Sequence, residues 1–122
     1  MFERKLRVLA LDDDVSFLEL VRDVLTSEGL EVDVSAKPLA ADKVAEYDVA
    51  IIDVLFARAP TGLALARELL ERPDHPKLIV CSADGALLRE RAAELERPGV
   101  RVLGKPFEIE ELLAAIRDLV AA

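Results

Sequence analysis

The apolar run at residues 49–52, which ends in the acid Asp53, most constrains the fold of this chain. Four consecutive apolar residues without polar alternation indicate a strand that is buried on both faces, as in parallel sheets covered by helices. A carboxylate at the end of such a strand is costly in free energy unless another group pairs with it. Asp53 therefore requires partners from elsewhere in the chain.

Short apolar segments alternate with helical patterns along the whole sequence. The apolar segments predict strands at residues 6–11, 30–34, 49–53, 78–82 and 100–103. The apolar spacing predicts a helix through Leu18, Val21 and Leu25 that stops at Gly29, followed by helices at residues 39–45, 62–71, 86–95 and 108–120. Five strand–helix pairs predict an α/β fold, with a single doubly wound five-stranded parallel sheet and helices on both faces.

Length and charge limit the classes of protein to be considered. The 122 residues fit one domain, so we expect a single domain over residues 1–122 with no output domain. The net charge of −8 argues against direct binding of nucleic acid or anionic membranes. No apolar run approaches the roughly 20 residues that a membrane helix needs, which argues against membrane insertion. A lone Cys81 excludes an internal disulfide, as is typical of a cytoplasmic protein.

Polar side chains with complementary chemistry follow four of the five predicted strands. In doubly wound sheets, functional groups gather at the carboxyl ends of the strands. The residues at these ends are Asp12, Asp13, Asp53, Ser82 and Lys105. Converging carboxylates repel one another, and a hard cation such as Mg²⁺ relieves that repulsion. An ammonium and a hydroxyl suit phosphoryl oxygens, so that Asp53 could act as a nucleophile on phosphorus.

Together, four segments of the chain resemble the response-regulator receiver domain of two-component signalling. These segments are residues 8–14, 47–53, 78–83 and 104–107. Their order and spacing make the resemblance specific, and it extends over the whole chain. The resemblance implies a flavodoxin-like sheet with strand order 2-1-3-4-5. It also implies a phosphorylation-dependent signalling switch rather than an enzyme.

The resemblance implies a role for each candidate residue. Asp53 resembles the phosphoacceptor, Ser82 the switch hydroxyl, and Lys105 the lysine that binds the phosphoryl group. Pro106 resembles a proline preceded by a cis peptide bond.

The resemblance also implies a cofactor and partners. Asp12 and Asp13 resemble the acids of an Mg²⁺ site, which Asp53 and the backbone carbonyl of Leu55 would complete. The implied partners are a histidine kinase or phosphotransfer protein, and a downstream protein that binds the face formed by the fourth helix, the fifth strand and the fifth helix.

Two departures from the family pattern affect these expectations. The family usually has proline four residues and glycine eight residues after the strand-end aspartate, whereas this chain has Ala57 and a glycine nine residues on, Gly62. The loop therefore carries about one extra residue. The family often has an aromatic residue three positions before the lysine, where this chain has Val102. We expect phosphorylation to produce an altered or weak change on the output face.

Two alternative functions remain open from the sequence. The altered loop and Val102 favour a degenerate receiver, which would act as a phosphorylation-independent interaction module. The strand-end acids Asp12 and Asp14 also match the spacing of haloacid-dehalogenase-like phosphatases, but this interpretation leaves Asp53 unexplained.

Several single residues have simpler interpretations. Asp14 fits a helix N-cap, Cys81 a small apolar core residue, and His75 a loop position between two prolines. For Phe56, burial beneath the loop and exposure to a partner are both open.

Overall fold

The computed structural model describes residues 5–56 and 58–121 of the chain. The strands are β1 (Arg7–Leu11), β2 (Glu31–Ser35), β3 (Val49–Asp53), β4 (Lys77–Ser82) and β5 (Val100–Gly104). The helices are α1 (Val15–Ser27), α2 (Ala41–Val44), α3 (Thr61–Leu70), α4 (Gly85–Glu90), α5 (Ala92–Leu95) and α6 (Ile109–Ala121).

The five strands form one parallel sheet in the order β2-β1-β3-β4-β5. This order and the helices on both faces confirm the predicted fold. β3 is central, and all five of its residues are buried. β2 lies at an edge, and its residues Val32 and Val34 are only half-buried, as its alternating sequence predicts.

Alternating side chains of the sheet supply two separate cores. In β1, Val8 and Ala10 face the core beneath α1 and α6, whereas Leu9 and Leu11 face the core beneath α2 and α3. Successive side chains of a strand point to opposite faces, so a strand covered by helices on both sides must be apolar throughout. In the strands that helices cover on both sides, the strand ends are consequently the places where acids and hydroxyls can reach solvent.

The predicted helix at residues 86–95 is interrupted. α4 ends at Glu90, and Arg91 adopts φ −103° and ψ 8° before α5 begins. None of the six described residues of α4 is buried, whereas Leu95 anchors α5 in the core. Tertiary packing thus holds the second half of the segment and leaves the first half on the surface.

Two other helices differ in detail from their prediction. α2 covers residues 41–44 rather than 39–45, and its N-cap residue Ala40 offers no side-chain hydrogen bond to the first turn. α3 covers residues 61–70 rather than 62–71, and its buried residues include Leu65, whereas Leu70 is half-buried. None of the helices that the structure describes is long and apolar enough to span a membrane.

Candidate functional site

The candidate site lies at the carboxyl edge of the sheet, where four strands end side by side. Asp12 follows β1, Asp53 ends β3, Ser82 ends β4 and Lys105 follows β5. The neighbouring register brings them together, because Asp53 pairs with Cys81 and Ser82 pairs with Gly104. The prediction that these residues share one sheet edge is confirmed.

Three carboxylates form a cluster at this edge. One carboxylate oxygen from each of Asp12, Asp13 and Asp53 lies within 4.8 Å of the other two. Asp12 is 2% exposed and accepts a hydrogen bond from the Asp14 backbone N–H at 2.9 Å, whereas Asp13 is exposed. This all-oxygen donor set fits a hard divalent cation such as Mg²⁺.

Helix α1 begins directly after this cluster. Asp14 caps it by accepting a hydrogen bond from the Phe17 N–H at 3.2 Å, which confirms the predicted N-cap. The three consecutive acids therefore have different contacts. Asp12 and Asp13 belong to the carboxylate cluster, whereas Asp14 caps α1.

Lys105 provides the cation of the site. Its Nζ lies 2.5 Å from Asp12 Oδ2 and 3.4 Å from Asp53 Oδ2. The same Nζ lies 4.6 Å from the centre of the Phe17 ring. The peptide bond that links Lys105 to Pro106 is cis, as the resemblance predicts.

The surroundings at the site shift the pKa values of Asp53 and Lys105. Burial raises the pKa of Asp53 above its usual value, and the Asp12 charge acts in the same direction, although the Leu55 N–H and Lys105 oppose the rise. Burial lowers the pKa of Lys105, but the hydrogen bond from Lys105 to Asp12 and the two carboxylate charges outweigh it, so that this pKa is raised. Lys105 therefore stays charged while Asp53 carries an electrostatic penalty that an added cation would relieve.

Ser82 connects the sheet edge to helix α4. It is 1% exposed, and its Oγ accepts a hydrogen bond from the Asp84 N–H at 3.0 Å. Asp84 in turn caps α4, since its Oδ1 accepts from the Leu87 N–H at 3.0 Å. A displacement of the Ser82 hydroxyl would consequently disturb the Asp84 cap at the first turn of α4.

The loop after Asp53 contains a tight reversal. Phe56 and Ala59 exchange two backbone hydrogen bonds, at 2.9 and 2.8 Å, and Arg58 has a φ of 69°. Phe56 is buried, which resolves the question that the sequence left open. The departure at Ala57 falls on a residue outside the described part of the chain.

Gly62 closes the loop against the end of β3. A Cβ at this position would lie 1.7 Å from the Asp53 carbonyl oxygen, so the helix can approach Asp53 only with glycine there. The Leu55 N–H donates to Asp53 Oδ1 at 3.1 Å.

Two residues that contact the site were not predicted from the sequence as part of it. Phe17 lies beside the Lys105 ammonium, and its ring meets Phe107 edge-on with centroids 5.9 Å apart and an interplanar angle of 86°. An aromatic residue in the first turn of a helix that follows an acid cluster is the available signal. Because Phe17 also packs against the core beneath α1, helical periodicity alone gives it a purely structural role.

Cys81 lies next to the site without joining its chemistry. It is buried in the core, as predicted, and burial raises the pKa of its thiol to about 12. A thiol of that pKa stays protonated near neutral pH and is a poor nucleophile.

The sequence of the chain matches a known protein family. The sequence model described as "Response regulator receiver domain" matches residues 8–117. The chain belongs to this family. It is a receiver domain of two-component systems, and receiver domains are signalling domains.

Relatives and solved structures agree with the family. Response regulator MprA of Mycobacterium leprae is 33% identical over 117 residues, which cover 93% of this receiver domain and 50% of MprA. Regulatory protein VirG of Agrobacterium tumefaciens is 33% identical over 113 residues, which cover 90% of this chain and 42% of VirG. The chain spans about half the length of the curated relatives it matches.

The fold has a close structural counterpart. The signal receiver domain of a response regulator from Bermanella marisrubri superimposes with a TM-score of 0.77, at 24% identity, over 96% of this chain and 99% of that chain. This likeness concerns the fold. The family membership favours the receiver over the haloacid-dehalogenase alternative.

Proposed function

We propose that this receiver domain accepts a phosphoryl group on Asp53, in the presence of Mg²⁺, and alters its interaction surface in response. The observation that carries the proposal is the position of the Lys105 ammonium. It lies 3.4 Å from the Asp53 carboxylate, at the edge of a three-carboxylate cluster. An ammonium beside a carboxylate nucleophile is placed to neutralise charge on an incoming phosphoryl oxygen.

Asp53 is the proposed nucleophile. A carboxylate oxygen of Asp53 would form a bond to phosphorus while the bond from phosphorus to the donor breaks and its electron pair leaves with the donor. The donor of the proposed reaction is a phosphohistidine of a histidine kinase or phosphotransfer protein. Water would later attack the same phosphorus, which releases inorganic phosphate and restores the carboxylate.

The acids of the cluster are the proposed metal ligands. Asp12, Asp13 and Asp53, with the backbone carbonyl of Leu55, would hold Mg²⁺. When bound, the metal supplies positive charge that stabilises the transferring group. Burial and, to a lesser degree, the neighbouring Asp12 charge raise the pKa of Asp53, which supports the need for such a cation.

The remaining residues have proposed roles in binding and readout. Lys105 would hold a phosphoryl oxygen, and the Ser82 hydroxyl would donate to another. The proposed output face comprises α4, α5, β5 and α6, which together form the face predicted from the sequence for a downstream protein.

The first experiment locates the phosphoryl group. The protein is incubated with Mg²⁺ and acetyl phosphate, and intact mass is measured for the native chain, Asp53→Asn and the control Asp42→Asn, an exposed acid of α2. We expect one phosphoryl adduct in the native chain and in the control, but none in Asp53→Asn or after chelation of Mg²⁺.

The alternatives give different results in the same experiment. Val102, in place of the usual aromatic, favours the phosphorylation-independent interaction module. That alternative predicts no adduct and no binding of Mg²⁺ by titration calorimetry. An adduct on Asp12 with turnover of a small phosphate ester would instead indicate a phosphatase.

A further inference from the structure

The Lys105 ammonium has an uncharged third partner, the ring of Phe17. The Lys105 side chain is 20% exposed, and its Nζ contacts Asp12 and Asp53. The same Nζ lies 4.6 Å from the centre of the Phe17 ring. An ammonium at this distance from an aromatic face is attracted by the negative face of the ring. The ammonium is therefore held by two carboxylates and one ring.

Two contacts restrict the position of Phe17, one through its backbone and one through its ring. Its backbone N–H donates to the Asp14 carboxylate at the N-cap of α1. The ring also meets Phe107 edge-on, and Phe107 lies two residues beyond Lys105 in the same loop. The start of α1 thus fixes the backbone of Phe17, and the segment after β5 packs against its ring, so that both restrict the position of the ring.

We propose that Phe17 is a positioning residue for Lys105 in phosphoryl transfer to Asp53. This inference rests on the proposed function. Lysine carries its charge on a flexible four-carbon stem, so the ammonium samples many positions unless neighbouring groups restrict it. The ring restricts the ammonium without neutralising it, which leaves its charge available to a phosphoryl oxygen.

The ring contact differs from the carboxylate contacts in one respect that matters for this role. Asp12 and Asp53 are both proposed ligands of the metal, so their oxygens are shared between the metal and Lys105. The attraction of Phe17 for an ammonium does not depend on those oxygens. Phe17 would accordingly keep Lys105 beside Asp53 when the carboxylates have another cation to bind.

The test compares two replacements of the ring. Phe17→Leu keeps an apolar side chain and removes the aromatic face, whereas Phe17→Tyr keeps the face. With saturating Mg²⁺ and acetyl phosphate, we expect the rate of Asp53 phosphorylation to fall about fivefold in Phe17→Leu and to stay near the native rate in Phe17→Tyr. Phe17→Met provides a second non-aromatic variant if Phe17→Leu does not fold.

A double-mutant cycle separates positioning from a general structural role. If Phe17 acts through Lys105, the Phe17→Leu change has no further effect on the rate in a Lys105→Ala background. A merely structural residue would slow both backgrounds alike. Equal rates for the native chain and Phe17→Leu, or an equal loss in both backgrounds, would overturn the proposal.

A measurement without metal or phosphate provides a separate readout. In the metal-free protein, the ring current of Phe17 should shift the ε-methylene protons of Lys105 upfield in the NMR spectrum. The shift should disappear in Phe17→Leu and persist in Phe17→Tyr, and its absence in the native chain would contradict the proposal. If the native chain forms no Asp53 adduct, the proposed function fails and this inference falls with it, whereas a normal adduct in Phe17→Leu at the native rate removes this inference alone.

Discussion

At the scale of single residues, the site contains a carboxylate whose charged form is unfavourable in the fold. Asp53 is buried beside Asp12, and its raised pKa shows that the folded protein favours the protonated carboxyl more than the unfolded chain does. The charged form of Asp53 therefore destabilises the metal-free fold at neutral pH. Such a penalty is expected where function needs a carboxylate that stability alone would not select.

Replacement of Asp53 should make the metal-free protein more stable. In Asp53→Asn, we expect the free energy of unfolding at pH 7, measured by urea denaturation with a chelator present, to rise. The difference from the native chain should shrink as the pH falls through the raised pKa of Asp53, because the native carboxyl then becomes neutral as well. The control Asp42→Asn should change stability little at either pH, and a less stable Asp53→Asn protein at pH 7 would contradict the argument.

At the scale of elements, the junction of β3 and α3 determines where Asp53 is held. The loop between them is one residue longer than the family pattern, yet the first turn of α3 still touches the end of β3 through Gly62. The same loop contains the backbone pairing of Phe56 with Ala59, with Arg58 at positive φ. The close approach at Gly62 thus holds the start of α3 against the end of β3.

A methyl group at this junction should disrupt it. A Cβ at Gly62 would clash with backbone atoms of Asp53 and Val54, so Gly62→Ala should lower the free energy of unfolding by about 2 kcal/mol or more and slow phosphorylation of Asp53. Gly85→Ala is the matched control, because its Cβ would meet only the flexible Arg89 guanidinium at 3.3 Å, and alanine favours the helix. Equal stability of the two variants in thermal denaturation would show that the close approach of α3 is not required.

At the scale of the whole molecule, much of the fold follows from the pattern of apolar segments. The five strands and their parallel arrangement follow from runs such as residues 49–52, which only a sheet covered on both sides can bury. The strand order came from the resemblance, since periodicity does not report which strands are neighbours. The break at Arg91 escaped prediction because the apolar residues Leu87, Leu88 and Leu95 continue a helical spacing across it.

The polar residues of the candidate site could be predicted from the sequence, but the aromatic residue Phe17 could not. Asp53 and Lys105 stand out because charged groups directly follow apolar strands. Phe17 does not stand out, because an apolar residue near the start of an amphipathic helix is ordinary. Its contact with the Lys105 ammonium depends on the docking of α1 beside the segment after β5, which is a tertiary property.

Transmission from the site to the surface should be weak in this chain. Val102 is half-buried on β5 and has no ring to move, whereas Ser82 reaches α4 through the Asp84 cap. α5 is held by Leu95 and by the paired hydrogen bonds of Arg67 with Glu94, at 3.0 and 2.7 Å. We therefore expect small backbone chemical-shift changes over residues 86–95 on phosphorylation, strongest in the first turn of α4.

The variant Val102→Tyr tests this expectation. It restores an aromatic residue on β5, and we expect phosphorylation to produce about twofold larger shift changes over residues 86–95 than in the native chain. Val100→Ile, a conservative change of a buried residue on the same strand, is the control and should leave the response unchanged. Large shift changes across both α4 and α5 in the native chain would contradict a weak response.

The contact between Asp12 and Lys105 joins positions 93 residues apart. β5, which delivers the lysine, is the last strand in sequence and lies at the outer edge of the sheet. During synthesis on the ribosome, the acids of β1 and β3 emerge long before the ammonium that is to stand between them. A nascent chain therefore presents Asp12 and Asp53 without the ammonium that pairs with both of them, and these two contacts form only when the final strand joins the sheet.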